Sequence, residues 1–231
     1  MPFFLVDRYY LLLVVPALLV TVWAQVRVKS TFARYSHVFS RRGFTGKDAA
    51  LYILRQNGVT DVSVSETGGH LSDHYDPRAG VIRLSSEVYS GTSVASIGVA
   101  AHEAGHALQH AQGYFPLTLR NAIIPITNIG STLSGPLILL GFIMGMGPLV
   151  DVGILLFSLV VVFQLVTLPV EFNASRRAVA IIGEAGLLEG EELTGAKRVL
   201  SAAALTYVGS LLVSLANLLR LILLFGRRND D

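Results

Sequence analysis

Ser93-Val94-Ala95-Ser96-Ile97-Gly98-Val99-Ala100-Ala101-His102-Glu103-Ala104-Gly105-His106-Ala107-Leu108-Gln109-His110-Ala111-Gln112-Gly113 is the stretch on which the reading of this 231-residue chain turns. Thr92 or Ser93 can cap a helix here and Gly113 can end it. Upstream of His102 the residues are small and apolar, so the helix lies against a packed or membrane-adjacent wall. Residues four apart share a helical face, which sets the imidazoles of His102 and His106 side by side with Glu103 next to them. Two imidazoles can share one metal ion, but they leave a tetrahedral Zn²⁺ short of a protein ligand, and a catalytic site needs a third one plus an open position. The chain has no Cys, so that third ligand must be a nitrogen or an oxygen.

Composition sets the class. The chain is 52% hydrophobic and 15% charged, with a positive mean hydropathy, which excludes a disordered chain and is too apolar for an ordinary soluble domain. Its apolar residues are concentrated in Tyr9 to Ala24, Leu133 to Gly147, Gly153 to Val170 and Ala202 to Phe225. With their neighbours, each approaches the ~20 residues that cross a bilayer, so four spans are expected. The first lacks a basic start and a clear small-residue cleavage site, and reads as a retained anchor. A net charge of +2, with no basic patch interleaved with aromatics, argues against nucleic acid as a partner.

Arg27, Lys29, Arg34, Arg41, Arg42 and Lys47 follow the first span as a topology signal and a contact for anionic lipid. Phe44 to Asn57 then reads as a helix capped by Thr45 with Asp48 three residues on. Val59 to Ser65 alternates as a half-buried strand, and His70 to Tyr75 and Val81 to Leu84 complete a small antiparallel sheet. The polar run His70, Asp73, His74, Tyr75 and Asp76 suits a cleft lining or a turn better than a second metal site. Between Arg120 and Gly147 the first half is polar and is expected to pack on protein or line a cavity. The polar stripe of the last span, Thr206, Tyr207, Ser210, Ser214 and Asn217, is expected to bond between helices.

The third ligand comes from topology. The second and third spans form a hairpin, and Glu171, placed where the third ends, returns to the side of the membrane that holds His102 and His106. A carboxylate at the mouth of an apolar span is costly and by default functional. Its competitors Glu184, Glu189, Glu191 and Glu192 belong to a polar, glycine-containing stretch that reads as a solvated face.

A His₂Glu-held Zn²⁺ acidifies water and polarises a carbonyl. Glu103, one residue after a ligand, is placed to take the water's proton and pass it to a leaving amine. Tyr207, His74, Arg176 and Arg177 are candidates for steadying the oxyanion, with Tyr75 a further substrate contact, and spacing does not choose among them. His110 reads as a supporting or surface residue. Gln109 and Gln112 stand where a metzincin would have Gly and His, and the glutamate-liganded gluzincin type fits better.

Four blocks now carry a family likeness: Leu71-Ser72-Asp73-His74-Tyr75-Asp76-Pro77, His102 to Gln109, Leu168-Pro169-Val170-Glu171-Phe172-Asn173-Ala174-Ser175-Arg176-Arg177-Ala178, and Ala202-Ala203-Ala204-Leu205-Thr206-Tyr207. Together they resemble the bacterial YugP-like neutral zinc metallopeptidases over nearly the whole chain. The resemblance implies one zinc ion on His102, His106 and Glu171, with Glu103 catalytic. More distantly the order of parts looks like the HtpX-type and prenyl-protein-processing membrane zincins, which usually carry Asp four residues after the ligating Glu, where this chain has Ser175. In that wider group the segment before the motif helix pairs with substrate backbone, which points to residues 70 to 84.

The expected protein is mainly α: a polytopic membrane protein with four transmembrane helices and a small α+β zincin-like peptidase domain. Residues 1–26 form the first anchor, 27–120 the domain with the motif helix, 121–170 the hairpin, 171–201 the third-ligand segment and 202–231 the last span and tail. Basic residues cluster on the peptidase side, so the positive-inside rule predicts a multi-pass protein of the cell (inner) membrane with a cytoplasmic active site. The expected activity is a zinc metalloendopeptidase cutting membrane or membrane-proximal proteins, its partners being a protein or peptide substrate and the bilayer. Two alternatives stand beside it. One is a site-2-type intramembrane protease with Asp151 as ligand, and the other a non-enzymatic zinc-binding scaffold closed by His110 or His74.

Overall fold

The computed structural model describes residues 7–69 and 72–226. His70, part of the polar run, lies outside the described residues. The chain divides into two compact units, one of Met1–Ala24, Leu119–Leu168 and Leu205–Asp231, the other of Gln25–Thr118 and Pro169–Ala204.

The elements in order are α1 (Val15–Ser36, preceded by a π-helical stretch, Tyr10–Val14), α2 (Gly46–Gln56), β1 (Ser63–Thr67), β2 (His74–Asp76), β3 (Val81–Ser85), α3 (Ser86–Tyr89), α4 (Val94–Ala111), α5 (Phe115–Met144), α6 (Gly147–Glu184) and α7 (Glu191–Phe225). The fold is mainly α with one three-stranded sheet, as expected. Among the described residues, four helices are long and apolar enough to cross a membrane: Tyr10–Ser36, Phe115–Met144, Gly147–Glu184 and Glu191–Phe225. They turn apolar side chains outward, Leu12, Ile143 and Leu155 among the most exposed, as a lipid-facing surface requires. Helices α6 and α7 run well beyond the apolar segments, because Ala178 and Ile182 on one and Ala196, Val199 and Leu200 on the other continue as a buried apolar stripe of an otherwise polar helix.

In the first unit, Asp7 starts the first helix by accepting hydrogen bonds from the amides of Tyr9 and Tyr10, and its other oxygen takes the guanidinium of Arg220 at 2.6 and 2.7 Å. One expectation changes in part there. Ser210 and Asn217 donate to the carbonyls of Thr206 and Val213, four residues back in their own helix, rather than to a neighbouring helix. In α5, Ser131 and Thr132 donate to the Asn128 carbonyl and lie exposed, while Thr127 and Ser134 are buried, so part of the polar half packs on protein as expected.

The second unit is built around α4. Ser93 caps it, accepting from the Ser96 amide at 3.0 Å, and Gly113 ends it at a φ of +63° that other residues resist. The Thr45–Asp48 capping box starts α2 as the spacing predicted. Helix α2 lies on α4 through Ala49, Ala50, Ile53 and Leu54, in one apolar cluster with Ile97, Ala100, Ala101, Ala104 and Leu108.

The sheet departs from expectation. Its order is β1-β3-β2, with β2 antiparallel to β3 but β1 parallel to it. The physical reason is burial: Val81, Ile82 and Leu84 leave β3 covered on both faces, which suits the middle of a sheet, while β2 is short and half-exposed and suits an edge. The Asp76 side chain forms the return turn by accepting from the amides of Arg78 and Ala79.

Two glycines of α4 test how tightly the helix is packed. A Cβ at Gly105 would stand 2.8 Å from the Ala174 carbonyl oxygen of α6, whereas one at Gly98 would meet the Ala196 Cβ at an ordinary 3.5 Å. Gly105→Ala is therefore expected to destabilise the protein by ~1–3 kcal/mol through overpacking. Gly98→Ala is expected to be neutral or to stabilise by about 0.5–1 kcal/mol through restored helix propensity. Denaturant unfolding of the two metal-free variants in detergent checks both signs.

Candidate metal centre

Helix α4 presents His102 and His106 one turn apart, and α6 presents Glu171 to them, all within the second unit. The short reach across follows from Gly105, which has no Cβ to hold the two backbones apart at Ala174. The His102 Nε2 atom lies 3.3 Å from Glu171 Oε2 and the His106 Nε2 atom 3.5 Å from the same oxygen. The two rings meet edge to face with centroids 4.6 Å apart.

Each imidazole is held from behind at its other nitrogen. Ser175 Oγ lies 3.1 Å from His102 Nδ1, and Gln109 Oε1 lies 3.0 Å from His106 Nδ1. Gln109 is itself fully buried and donates to the Val170 carbonyl at 2.8 Å and to Asn173 Oδ1 at 2.9 Å. Asn173 Oδ1 also accepts from Arg177 Nε at 2.7 Å, and the Arg177 guanidinium reaches Gln112 Oε1 and lies over the Tyr114 ring.

These residues fit a metal ion. His Nε2, His Nε2 and carboxylate oxygen are all lone-pair donors, and at this spacing they repel one another unless a proton or a cation sits among them. Ligands at ~2.0–2.1 Å around tetrahedral zinc are about 3.3–3.4 Å apart, close to the two separations found. Burial alone would push the His106 imidazole down, but the Glu171 carboxylate with Glu103 behind it outweighs burial and raises it above its ordinary value. The pocket thus favours positive charge among its donors. Among the described residues, His102, His106 and Glu171 form the group of three metal-binding side chains within reach of one another, their donor atoms lying within 4.8 Å.

Glu103 lies beside this group, buried to 8% exposure. The other residues singled out by the sequence are outside it. The His74 ring is exposed, with Nδ1 against the Ser72 carbonyl. Tyr75 and His110 pair with each other, hydroxyl to Nδ1, at 2.9 Å. Burial, then the nearby Asp61 and Asp76 charges, push the Tyr75 phenol up. Arg176 is exposed, and Arg177 is committed to Asn173 and Gln112. Tyr207 and Asp151 belong to the first unit. Of the competing glutamates, Glu189 and Glu192 pair with Arg42 and Arg41 at the surface.

Sequence reasoning missed Gln109, Asn173 and Ser175. Ser175 had a signal, standing where related enzymes place an acidic residue. Gln109 had one too: it is an amide three residues after His106 on an apolar helix face, where only a buried partner makes it tolerable.

Residues 10–226 match the model of the family described as "Putative neutral zinc metallopeptidase". The chain is also similar to "Putative membrane protease YugP" of Bacillus subtilis (strain 168), with 48% identity over 222 residues covering 96% of this chain and 99% of that protein. No solved structure matches it at a significant level. The family match takes in the four candidate spans found among the described residues together with His102, His106 and Glu171, and the chain belongs to the neutral zinc metallopeptidase family.

Proposed function

We propose that this protein is a membrane-embedded zinc metalloendopeptidase of the gluzincin type, in which His102, His106 and Glu171 hold one Zn²⁺ and Glu103 moves the proton. The observation that carries the reading is the convergence of two imidazole nitrogens and a carboxylate oxygen within 4.8 Å, each imidazole braced from behind. Bound zinc supplies Lewis-acid polarisation of the scissile carbonyl and acidifies water from ~15.7 toward ~7.

The chain's own residues do the rest. Glu103 accepts the proton of the attacking water and returns it to the departing amine nitrogen, a role that suits a buried carboxylate one residue from a ligand. Glu171, also buried, keeps the two imidazole Nε2 atoms turned inward. Among the described residues β2 is an edge strand that pairs with β3 alone, and an edge strand can take up an extended substrate backbone, which favours a protein or peptide chain over a small molecule.

The membrane setting supports substrates that are membrane proteins or lie close to the bilayer, in keeping with the description of the Bacillus relative as a membrane protease. Arg27, Lys29, Arg34, Arg41, Arg42, Arg176, Arg177, Lys197 and Arg198 all belong to the second unit. By the positive-inside rule that unit, and the active site with it, faces the cytoplasm from the cell membrane.

Glu171→Ala is expected to lose zinc, measured as metal per purified protein, while Asp151→Ala keeps it. Zinc kept by the first and lost by the second would instead favour the site-2-type arrangement. Glu103→Gln is expected to keep zinc but cut the turnover of an unfolded protein substrate ~10²–10⁴-fold. Equal hydrolysis by wild type and Glu103→Gln would point to a scaffold.

Sidedness has its own test. The natural chain has no Cys, so a single Cys at the exposed Arg41 reports topology directly. It is expected to react with a membrane-impermeant maleimide only after the cells are permeabilised, and labelling of intact cells would reverse the orientation.

A further inference from the structure

We infer that Gln109 is a positioning residue that fixes the tautomer of His106, leaving its Nε2 lone pair turned toward the metal; this rests on His106 being a zinc ligand. The direction in which each group can donate decides the assignment. Arg177 has donors and no acceptors, so the Asn173 atom 2.7 Å from its Nε is the carbonyl oxygen. That same oxygen faces the side-chain amide of Gln109 at 2.9 Å, and so does the Val170 carbonyl at 2.8 Å. Both are acceptors, so the Gln109 group between them is its NH₂, with its two hydrogens used. A flipped amide would set oxygen against two oxygens in a fully buried place.

The Gln109 oxygen is then the atom 3.0 Å from His106 Nδ1. It can only accept, so Nδ1 carries the hydrogen and Nε2 of the neutral ring has none. Because Val170 directly precedes Glu171, the same amide also ties the position of the His106 ring to the ligand-bearing turn of α6. His102 differs: its Nδ1 partner is the Ser175 hydroxyl, which can donate or accept, so this contact sets the ring's orientation without choosing its tautomer. Control over tautomer is therefore asymmetric between the two imidazoles.

The test compares wild type, Gln109→Met, Asn173→Asp, Asn173→Leu and Glu171→Ala, each as the full chain in detergent. Zinc affinity is read by competition with a chelator, and the ¹⁵N shifts of His106 are read in the metal-free protein with the ring neutral. Gln109→Met is expected to bind zinc ~10–100-fold more weakly and to shift His106 toward the Nε2–H form that a free histidine side chain prefers. Asn173→Asp, which still accepts from both Arg177 and Gln109, is expected to keep the Nδ1–H form, whereas Asn173→Leu is expected to lose part of it.

A wild-type tautomer and wild-type affinity in Gln109→Met would overturn the inference. So would weakened affinity with an unchanged tautomer, since general loosening of the unit then suffices. Wild-type zinc affinity in Glu171→Ala would strike instead at the ligand reading, and the ¹⁵N shifts, which need no metal, would still judge Gln109.

Discussion

Two helix backbones in contact at Gly105 and Ala174 set the terms for everything around them. A histidine on one helix and a glutamate on another reach a common point only if the axes run close, and the Ala174 carbonyl stands where a side chain at position 105 would begin. That contact is made by small residues on both sides, with Ala104, Ala107, Ala174 and Ala178 also buried around it. The alanine-rich face of α4 therefore has a purpose beyond helix propensity. It removes bulk so that polar side chains of moderate length can meet within hydrogen-bonding distance.

Bringing those groups together has a cost that the surroundings offset. Glu171 and Gln109 are buried in a chain otherwise dominated by apolar residues, and an unsatisfied polar group in such a place loses about 1–3 kcal/mol. The Gln109 amide answers with three contacts, and Asn173 and Arg177 extend the set to Gln112 and Tyr114 nearer the surface. A polar cluster of this kind is stable only when complete, since a half-satisfied network is worse than an apolar core.

Much of this was legible in the sequence because its signals are local. The cap at Ser93, the capping box at Thr45 and Asp48, the stop at Gly113 and the one-turn spacing of His102 and His106 each depend on a few neighbouring residues. The four apolar spans are local signals of a longer kind. Glu171 was reached by a topological argument, and the structure brings it to the two histidines. The parallel pairing of β1 with β3 was not legible, because Val59 to Ser65 reads the same whichever strand it joins, and burial of β3 on both faces emerges only when α4 and the other strands are in place. Hydroxyls on apolar helices were misread for a related reason. A serine or threonine can satisfy itself on the carbonyl four residues back, and spacing does not distinguish that from a partner on another helix.

The proposed ligands and the groups that brace them all come from two helices, His102, His106 and Gln109 from α4 and Glu171, Asn173, Ser175 and Arg177 from α6. None lies on a loop. Side chains on a rigid helix pair are held to the tolerance that metal chemistry demands, a few tenths of an ångström, which a mobile loop does not provide. The strand β2 and the turn at Asp76 lie in a different stretch of chain, built by Asx and strand contacts, but Tyr75 of β2 meets His110 of α4, the residue after Gln109. Helix α4 thus carries both the two histidines and the residue that meets the edge strand, so a change at Tyr75 bears on the same helix that positions the donor group.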